Sequence, residues 1–385
     1  MTLPNGMKAR IIPRLSQVQA SDWSALTGGA YPYLRHEFLS ALEEQGCLGR
    51  DIGWVPHHLL IEDAAGNLAA ACPMYLKLNS FGEFVFDWAW ADAYQRAGLD
   101  YYPKLVIAAP FTPATGPRLL IAPEHRTGAM AEAVVDAAIA AAREAGVSSL
   151  HWLFSADDAL LESPRLLGRL GYQFHWENQG YDSFAEFLAR LTAKRRKEIL
   201  RERRQVREAG VNLVRLRGDE MPQELWRAFH ELYCATFAKH GNYPALTEGF
   251  FRETARTMGE QVMLVLAERK GGLIGAAYFL VGADCLYGRY WGCWEEIPGL
   301  HFEACYYQGI EFCIERGLGR FEPGAQGEHK ISRGFPPTAT WSAHWIADPG
   351  FKQPIARFLA REEAAVREYM ETLMARSPFK KTEAG

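Results

Sequence analysis

No stretch of this chain reaches the roughly 20 consecutive apolar residues that a membrane-spanning helix needs, and the opening MTLPNGMKARII lacks the apolar run of a secretory leader. A cytoplasmic protein is the expectation. Seven cysteines, at 47, 72, 234, 285, 293, 305 and 313, include no CxxC pair and no Cys/His cluster at zinc spacing. They read as reduced thiols, most of them buried, with no metal implied. A strong charge imbalance is also missing: 42 basic against 46 acidic residues exclude a global affinity for nucleic acid or anionic membrane. A polyanion would need a local site. What the chain does have is apolar content, 48% with 12% aromatics over 385 residues, enough for two or three domains with sizeable cores.

Rings and ionisable groups crowd most densely between residues 286 and 345. Alternation predicts a strand over 286–292, with Leu286, Gly288, Tyr290 and Gly292 on one face and Tyr287, Arg289 and Trp291 on the other. A helix follows over 301–316, from the spacing of Phe302, Cys305, Tyr306, Ile310, Cys313 and Ile314, and Gly317 and Gly319 stop it. A short strand over 320–323 then leads into GAQGEHK, where glycines permit close backbone approach beside Glu328, His329 and Lys330.

The same order occurs upstream. A strand over 118–122, an alanine-rich helix over 129–145 ending at Gly146 and a strand over 149–154 mirror it, and 18 residues separate Gly128 from Gly146 as they separate Gly299 from Gly317. Hairpins precede both, at 58–62 with 68–78 and at 262–268 with 273–281, and GNLAAACPMYL resembles GGLIGAAYFLV. Two copies of one α/β module are therefore expected, 1–180 and 181–385, each a mixed sheet flanked by helices. The first adds a strand over 8–15 and two helices within 21–46, the second a strand over 211–216 and helices over 220–240 and 247–258. A last helix over 354–374 can pack on either module, and the tail SPFKKTEAG reads as frayed.

Two segments interrupt the repeat. Residues 182–210 have helical apolar spacing, and Arg190, Lys194, Arg195, Arg196, Lys197, Arg201, Arg203, Arg204 and Arg207 outnumber Glu198, Glu202 and Glu208. That is either a solvated face with i,i+4 partners or, over 190–207, a contact for a phosphate-bearing partner such as tRNA. Residues 79–115 are dense in rings yet studded with charges, which suits a lid packed on its own body or the wall of a cleft. The wall would comprise Lys77, Ser80, Glu83, Asp87, Trp88, Trp90, Lys104 and Arg118.

The order hairpin, strand, glycine-preceded helix, parallel strand resembles the GNAT acyltransferase module, in which a helix N-terminus offers amides to a phosphate and splayed strands expose backbone to the acyl group. The coenzyme A loop of that family is not intact: the chain reads HRTGAM in the first module and EEIPGLHF in the second. Two such modules joined by a basic helical segment resemble the Fem family of aminoacyl-tRNA-dependent ligases. From about residue 21 to 379 the chain is similar to the FemAB-like group of N-acyltransferases related to peptidoglycan synthesis. The stretches GWVPHHL, YLKLNSFGEFVFDWAWADAY, YYPKL, PFTPATGPRLL, LYGRYWG, LHFEACYYQGIEFCI and FEPGAQGEHKISRGFPP carry that resemblance. It implies tandem GNAT-like modules and N-acyl transfer, with aminoacyl-tRNA or acyl-coenzyme A as donor substrate, no firmly implied cofactor, and an amine acceptor such as a peptide or amino acid engaging the first module.

Such a reaction needs a proton acceptor for the attacking amine and donors for the oxyanion. Glu303, His301, Glu328, His329, Lys330 and Tyr290 are the catalytic candidates, and Arg289, Tyr306 and Arg333 join the wall residues as binding candidates. Each also has a plain structural reading. Glu303 in a first helical turn offsets the macrodipole, and Glu328, His329 and Lys330 form an ordinary solvated turn. The rivals to aminoacyl transfer are an acyl-coenzyme A N-acyltransferase acting on a small amine, and a binding protein that kept the fold without the chemistry.

Overall fold

The structure, a computed structural model, describes residues 6–325 and 327–380. It forms two compact units, one from the chain up to Tyr172 plus Ala339–Glu368, the other from Gln173–Thr338 plus the chain from Tyr369 onward.

The first unit opens with β1 (Lys8–Ile12), α1 (Ala20–Thr27), α2 (His36–Glu44), β2 (Trp54–Pro56), β3 (His58–Glu62), β4 (Leu68–Cys72) and β5 (Met74–Lys77). Pro73 cannot donate to a ladder, and it splits the predicted long strand 68–78 so that β4 and β5 enter different sheets. Next come α3 (Trp88–Arg96), β6 (Lys104–Ile107), β7 (Leu120–Ile121), α4 (Gly128–Glu144), β8 (Ser149–Trp152), α5 (Asp158–Glu162) and β9 (Leu167–Phe174). Thr127 caps α4 by accepting from the Met130 amide at 3.1 Å. The helix's alanine-rich face buries Val134, Val135, Ala138 and Ala142 against the sheet core.

The second unit holds β10 (Trp176–Glu177), α6 (Phe184–Arg190), α7 (Ala193–Glu208), β11 (Asn212–Arg217), α8 (Leu225–Lys239), α9 (Glu248–Met258), β12 (Val262–Arg269), β13 (Gly272–Val281) and β14 (Cys285–Cys293). After α10 (Leu300–Phe302) a π-helical turn, Glu303–Tyr307, leads into α11 (Gln308–Arg316) and β15 (Arg320–Glu322). The chain closes with β16 (Pro337–Ile346) and α12 (Pro349–Met374). Strands β11 to β14 form an antiparallel meander, and β15 joins β14 in parallel.

The repeat seen in the sequence is present in part. In both units a helix ends at a left-handed glycine, Gly146 (φ 64°) and Gly317 (φ 66°), and feeds a parallel strand, β8 beside β6 and β15 beside β14, but β7, the strand expected to precede α4 in the repeat, pairs with β4 in the other sheet.

Several boundaries differ from the sequence reading. The split falls after Tyr172 rather than at 180, and β16 with most of α12 belongs to the first unit. The reason is sheet pairing: β16 runs antiparallel to β8, from Ala343↔Trp152 to Ile346↔Ser149, so ladder hydrogen bonds outweigh adjacency in the chain. Helix α12 starts at Pro349, where the Asp348 side chain accepts from the Gly350 amide at 2.7 Å. Ile355 and Leu359 pack with Trp90, Tyr94 and Tyr101. The strand predicted over 118–122 shortens to β7. The tail is tied rather than frayed as far as Lys380: the Thr192 amide donates to the Pro378 carbonyl at 2.9 Å and the Lys380 amide to the Arg190 carbonyl at 3.0 Å. Residues 381–385 of the tail lie outside the described residues.

The polar residues expected along a first-module wall form a buried ionic network. Lys104 donates to Ser80 Oγ at 2.8 Å, to Glu83 Oε2 at 2.8 Å and to Asp87. Asp87 also accepts from Ser80 at 2.6 Å and from Tyr101 at 2.5 Å. Lys77 lies 4.0 Å over the Trp54 ring and donates to the Phe81 carbonyl, Trp90 packs against His344, and Arg118 donates to the carbonyls of Leu153 and Ala114. The rings Phe81, Phe84, Phe86 and Trp88 are exposed.

Burial alone would raise the Asp87 carboxyl, but Lys104, His151 and the hydrogen bonds hold it at about 2. Glu83 is pushed up to about 7 by burial that Lys104 only partly offsets, and its Oε1 has no hydrogen-bond partner among the described residues. The two acids should therefore respond differently to neutralisation. Asp87→Asn is expected to cost about 2–3 kcal/mol at neutral pH. Its loss should appear in the wild type only in acid, as pH falls below the ordinary aspartate value toward about 2. Glu83→Gln should instead stabilise the protein near neutral pH, by up to about 3 kcal/mol. Urea unfolding of both variants checks the ranking, and equal costs would refute it.

Candidate acyl-transfer site in the second unit

Strands β14 and β15 pair only from Cys285↔Arg320 to Tyr287↔Glu322, after which β14 continues to Cys293 paired with β13 and without β15. The divergence leaves a pocket lined by Ala277, Tyr278, Phe279, Gly288, Arg289, Tyr290, Trp291, His301, Cys305, Tyr306 and Pro323. Two glycines allow its walls to close in. A Cβ on Gly309 would meet the Phe321 ring at 2.5 Å, and one on Gly292 would collide with the Leu232 backbone of α8.

A β-bulge shapes the wall. Tyr278 faces Tyr290 while Phe279 faces Gly288, so Arg289 is an extra residue and the alternation predicted for 286–292 fails there. The strand turns, and Gly288, Arg289, Tyr290 and Trp291 all reach the pocket instead of sharing out between two faces.

The helical wall is irregular too. The wide π turn Glu303–Tyr307 puts His301 and Tyr306 on the pocket side, with rings 5.3 Å apart, and directs Glu303 and Tyr307 to the other side. There Glu303 receives both Arg203 Nε (2.9 Å) and Arg203 Nη2 (3.0 Å), while Arg203 also binds Glu311. Tyr307 donates to Glu202, which pairs with Arg333 at 2.6 Å, and Arg333 stacks on Phe302 at 3.4 Å.

Of the sequence candidates, Tyr290, His301, Tyr306 and Arg289 line the pocket, and His329 and Lys330 stand behind Tyr306. His329 shares a 2.9 Å hydrogen bond with the Tyr306 hydroxyl, and Lys330 lies 6.0 Å from the centre of that ring. Glu303 and Arg333 are held in the ion pairs facing α7. Glu328 is exposed and bound to Tyr369 and Arg376. Sequence reasoning did not single out Tyr278, Trp291 or Cys305 as site residues. The interruption of aliphatics by rings marked the region, but the bulge that turns those rings inward leaves no composition signal.

Electrostatically the site is poor in acid. Burial depresses His301 to about 4, helped by His329, Lys330 and Arg333, and burial pushes the Tyr306 hydroxyl well up, so both keep neutral, hydrogen-bearing forms near pH 7. Lys330 is 2% exposed, donates to the Gly324 carbonyl at 2.7 Å and pairs with no carboxylate among the described residues, and burial lowers it to about 7.

That value carries a sign for stability. Between about 7 and the ordinary 10.5 the unfolded chain binds a proton at Lys330 that the folded chain does not, so stability should rise with pH across this window. Lys330→Met should flatten the rise and stabilise the protein near neutrality by up to about 4 kcal/mol. Urea midpoints at intervals across the window check this, and an unchanged slope in the variant would contradict it.

Comparison with known proteins accords with this architecture. The family model for FemAB-like proteins of peptidoglycan biosynthesis/recognition matches residues 14–381. Among solved structures, FemX superposes with a TM-score of 0.55 at 11% identity, over 90% of this chain and 100% of that one. The C-terminal domain of a putative lysylphosphatidylglycerol synthetase from Agrobacterium fabrum gives 0.53 at 9% identity, over 90% and 97%. A conserved protein of unknown function from Bacteroides thetaiotaomicron gives 0.50 at 10%, over 89% and 99%. No curated protein sequence matches. At these identities the structures speak for the fold, while the family match spans nearly the whole chain: the protein belongs to the FemAB-like family and is an acyl- or aminoacyltransferase.

Proposed function

We propose that the protein transfers an acyl or aminoacyl group from an activated ester to an amine, with the acyl carbon seated where β14 parts from β15. The observation that carries this reading is the divergence itself: a small pocket, lined by neutral hydrogen-bond donors, opens beside bulged backbone. The attacking amine adds to the acyl carbonyl, and His301 and Tyr306, both neutral and hydrogen-bearing near pH 7, donate to the oxyanion. A C–N bond forms, the ester C–O bond breaks, and the ammonium proton passes to Lys330, whose value near 7 suits it to accept a proton and return one to the departing hydroxyl.

The donor we favour is aminoacyl-tRNA. Lys194, Lys197, Arg201 and Arg207 are exposed along α7 and make no ion pair among the described residues, so a phosphate backbone would find unneutralised cations there. By contrast Arg195, Arg203 and Arg204 already have acidic partners. The loop before α10, EEIPGLHF, lacks the coenzyme A signature. Family membership points to a peptidoglycan-related peptide amine as acceptor.

Incubation with labelled aminoacyl-tRNA and with acyl-coenzyme A, each with a lysine-containing peptide, tests this. Acylated peptide with release of free tRNA is expected. Lys330→Met should lower kcat by about 10²–10⁴-fold. Charge reversal at Lys197 and Arg201 should raise KM several-fold in a salt-dependent way with kcat little changed. Turnover with acyl-coenzyme A alone would assign the other donor. Tight peptide binding without turnover on either donor would make the protein a recognition module.

A further inference from the structure

Transfer to an amine leaves a proton to dispose of. A lysine-like acceptor arrives at neutral pH as an ammonium, its ordinary value being about 10.4. The reaction then turns an ester and R–NH3+ into an amide, an alcohol and H+. Of the two protons that leave nitrogen, one ends on the departing oxygen, the route drawn above through Lys330, and the other must reach water. Lys330 is badly placed for that second transfer, being 2% exposed with its amine bonded to the Gly324 carbonyl.

Tyr306 connects the pocket to a base that does meet solvent. Its ring lines the pocket and is 3% exposed, its hydroxyl lies 2.9 Å from His329 Nε2, and His329 is exposed. The imidazole is held there by its surroundings. Gly327 has φ 117°, and a Cβ on it would come within 2.5 Å of His329 Cε1, so a side chain at 327 would displace the ring. The Phe302 ring lies 5.6 Å away, and the His329 carbonyl accepts from Ser332 Oγ and Arg333 Nη1, each at 2.9 Å. Nδ1 makes no hydrogen bond among the described residues, which leaves it to water. Burial, Arg333 and Lys330 hold His329 below the usual histidine value, so near pH 7 it is neutral and one ring nitrogen is free to accept.

We propose that Tyr306 and His329 form a relay that carries the first proton of the acceptor ammonium out of the pocket to water. Tyr306 Oη takes the ammonium proton as its own hydroxyl hydrogen passes to His329 Nε2, and the hydrogen on Nδ1 leaves to solvent. The nitrogen lone pair is then free to attack. His329 now carries its hydrogen on Nε2 and donates it to Tyr306, so the Tyr306 hydroxyl hydrogen points into the pocket, where the oxyanion forms. The second proton follows the Lys330 route to the departing oxygen, and the exposed imidazole resets by exchanging its tautomer with water. The relay rests on reading the pocket as the acyl-transfer site, and the test separates the two.

The full chain is assayed for release of free tRNA from labelled aminoacyl-tRNA with a lysine-containing peptide, in wild type, His329→Ala, His329→Gln and Lys330→Met. Glutamine can still hydrogen-bond the Tyr306 hydroxyl but cannot gain and lose a proton, so both His329 variants should lose kcat by about 10²-fold. KM for the donor should stay within about twofold. Added imidazole should restore His329→Ala several-fold, because the vacated position is open to solvent, and should leave His329→Gln unchanged. Wild-type kcat in His329→Gln, or no recovery of His329→Ala with imidazole, overturns the relay. If both His329 variants turn over normally while Lys330→Met does not, the relay falls and the acyl site stands. Full turnover by Lys330→Met, or none by wild type with either aminoacyl-tRNA or acyl-coenzyme A, overturns the acyl-site reading and the relay with it.

Discussion

Three residue pairs join β14 to β15, and the candidate site exists because the pairing stops there. A parallel ladder that continued would fill the gap with backbone. Two local features hold the strands apart: the bulge at Arg289 turns β14, and Pro323, directly after the last paired residue, lacks an amide with which to continue β15. Gly309 lets α11 sit against Phe321, so the parallel segment stays fixed while the strands beyond it diverge.

The rest of the second unit braces that opening. Helix α7 reaches the helical wall through Arg203 to Glu303 and Glu311, and through Glu202 to Arg333. These are part-buried, bidentate or multiply bonded pairs, the kind whose disruption strands a charge. The basic segment is divided by side: Arg203 and Glu202 point inward and orient the wall, while Lys194, Lys197 and Arg201 are exposed and make no ion pair among the described residues.

The duplicated α/β architecture was legible in the sequence because hydrophobic periodicity and glycine punctuation are local, and both survive in one-dimensional spacing. The C-terminal helix and the strand over 286–292 were likewise found, with ends shifted. What stayed hidden depends on long-range pairing. Nothing around residue 343 signals that β16 belongs beside β8 almost 200 positions earlier, nor does the DWAW stretch announce that Asp87 is buried under Lys104. Among site residues, those adjacent in sequence separated by direction: Glu303 and Tyr307 fall behind the wall and Tyr306 in front of it. A π turn sets that division, and its sequence, EACYY, would suit an α-helix equally well.

Two buried lysines show why composition alone misleads about chemistry. Lys104 and Lys330 are both removed from water, and burial opposes the charge of each. At Lys104, Glu83 and Asp87 return more than burial takes, so the amine stays protonated above its ordinary value and serves as a structural cation. At Lys330 no carboxylate intervenes and the amine falls to about 7, where a proton moves in either direction at little cost.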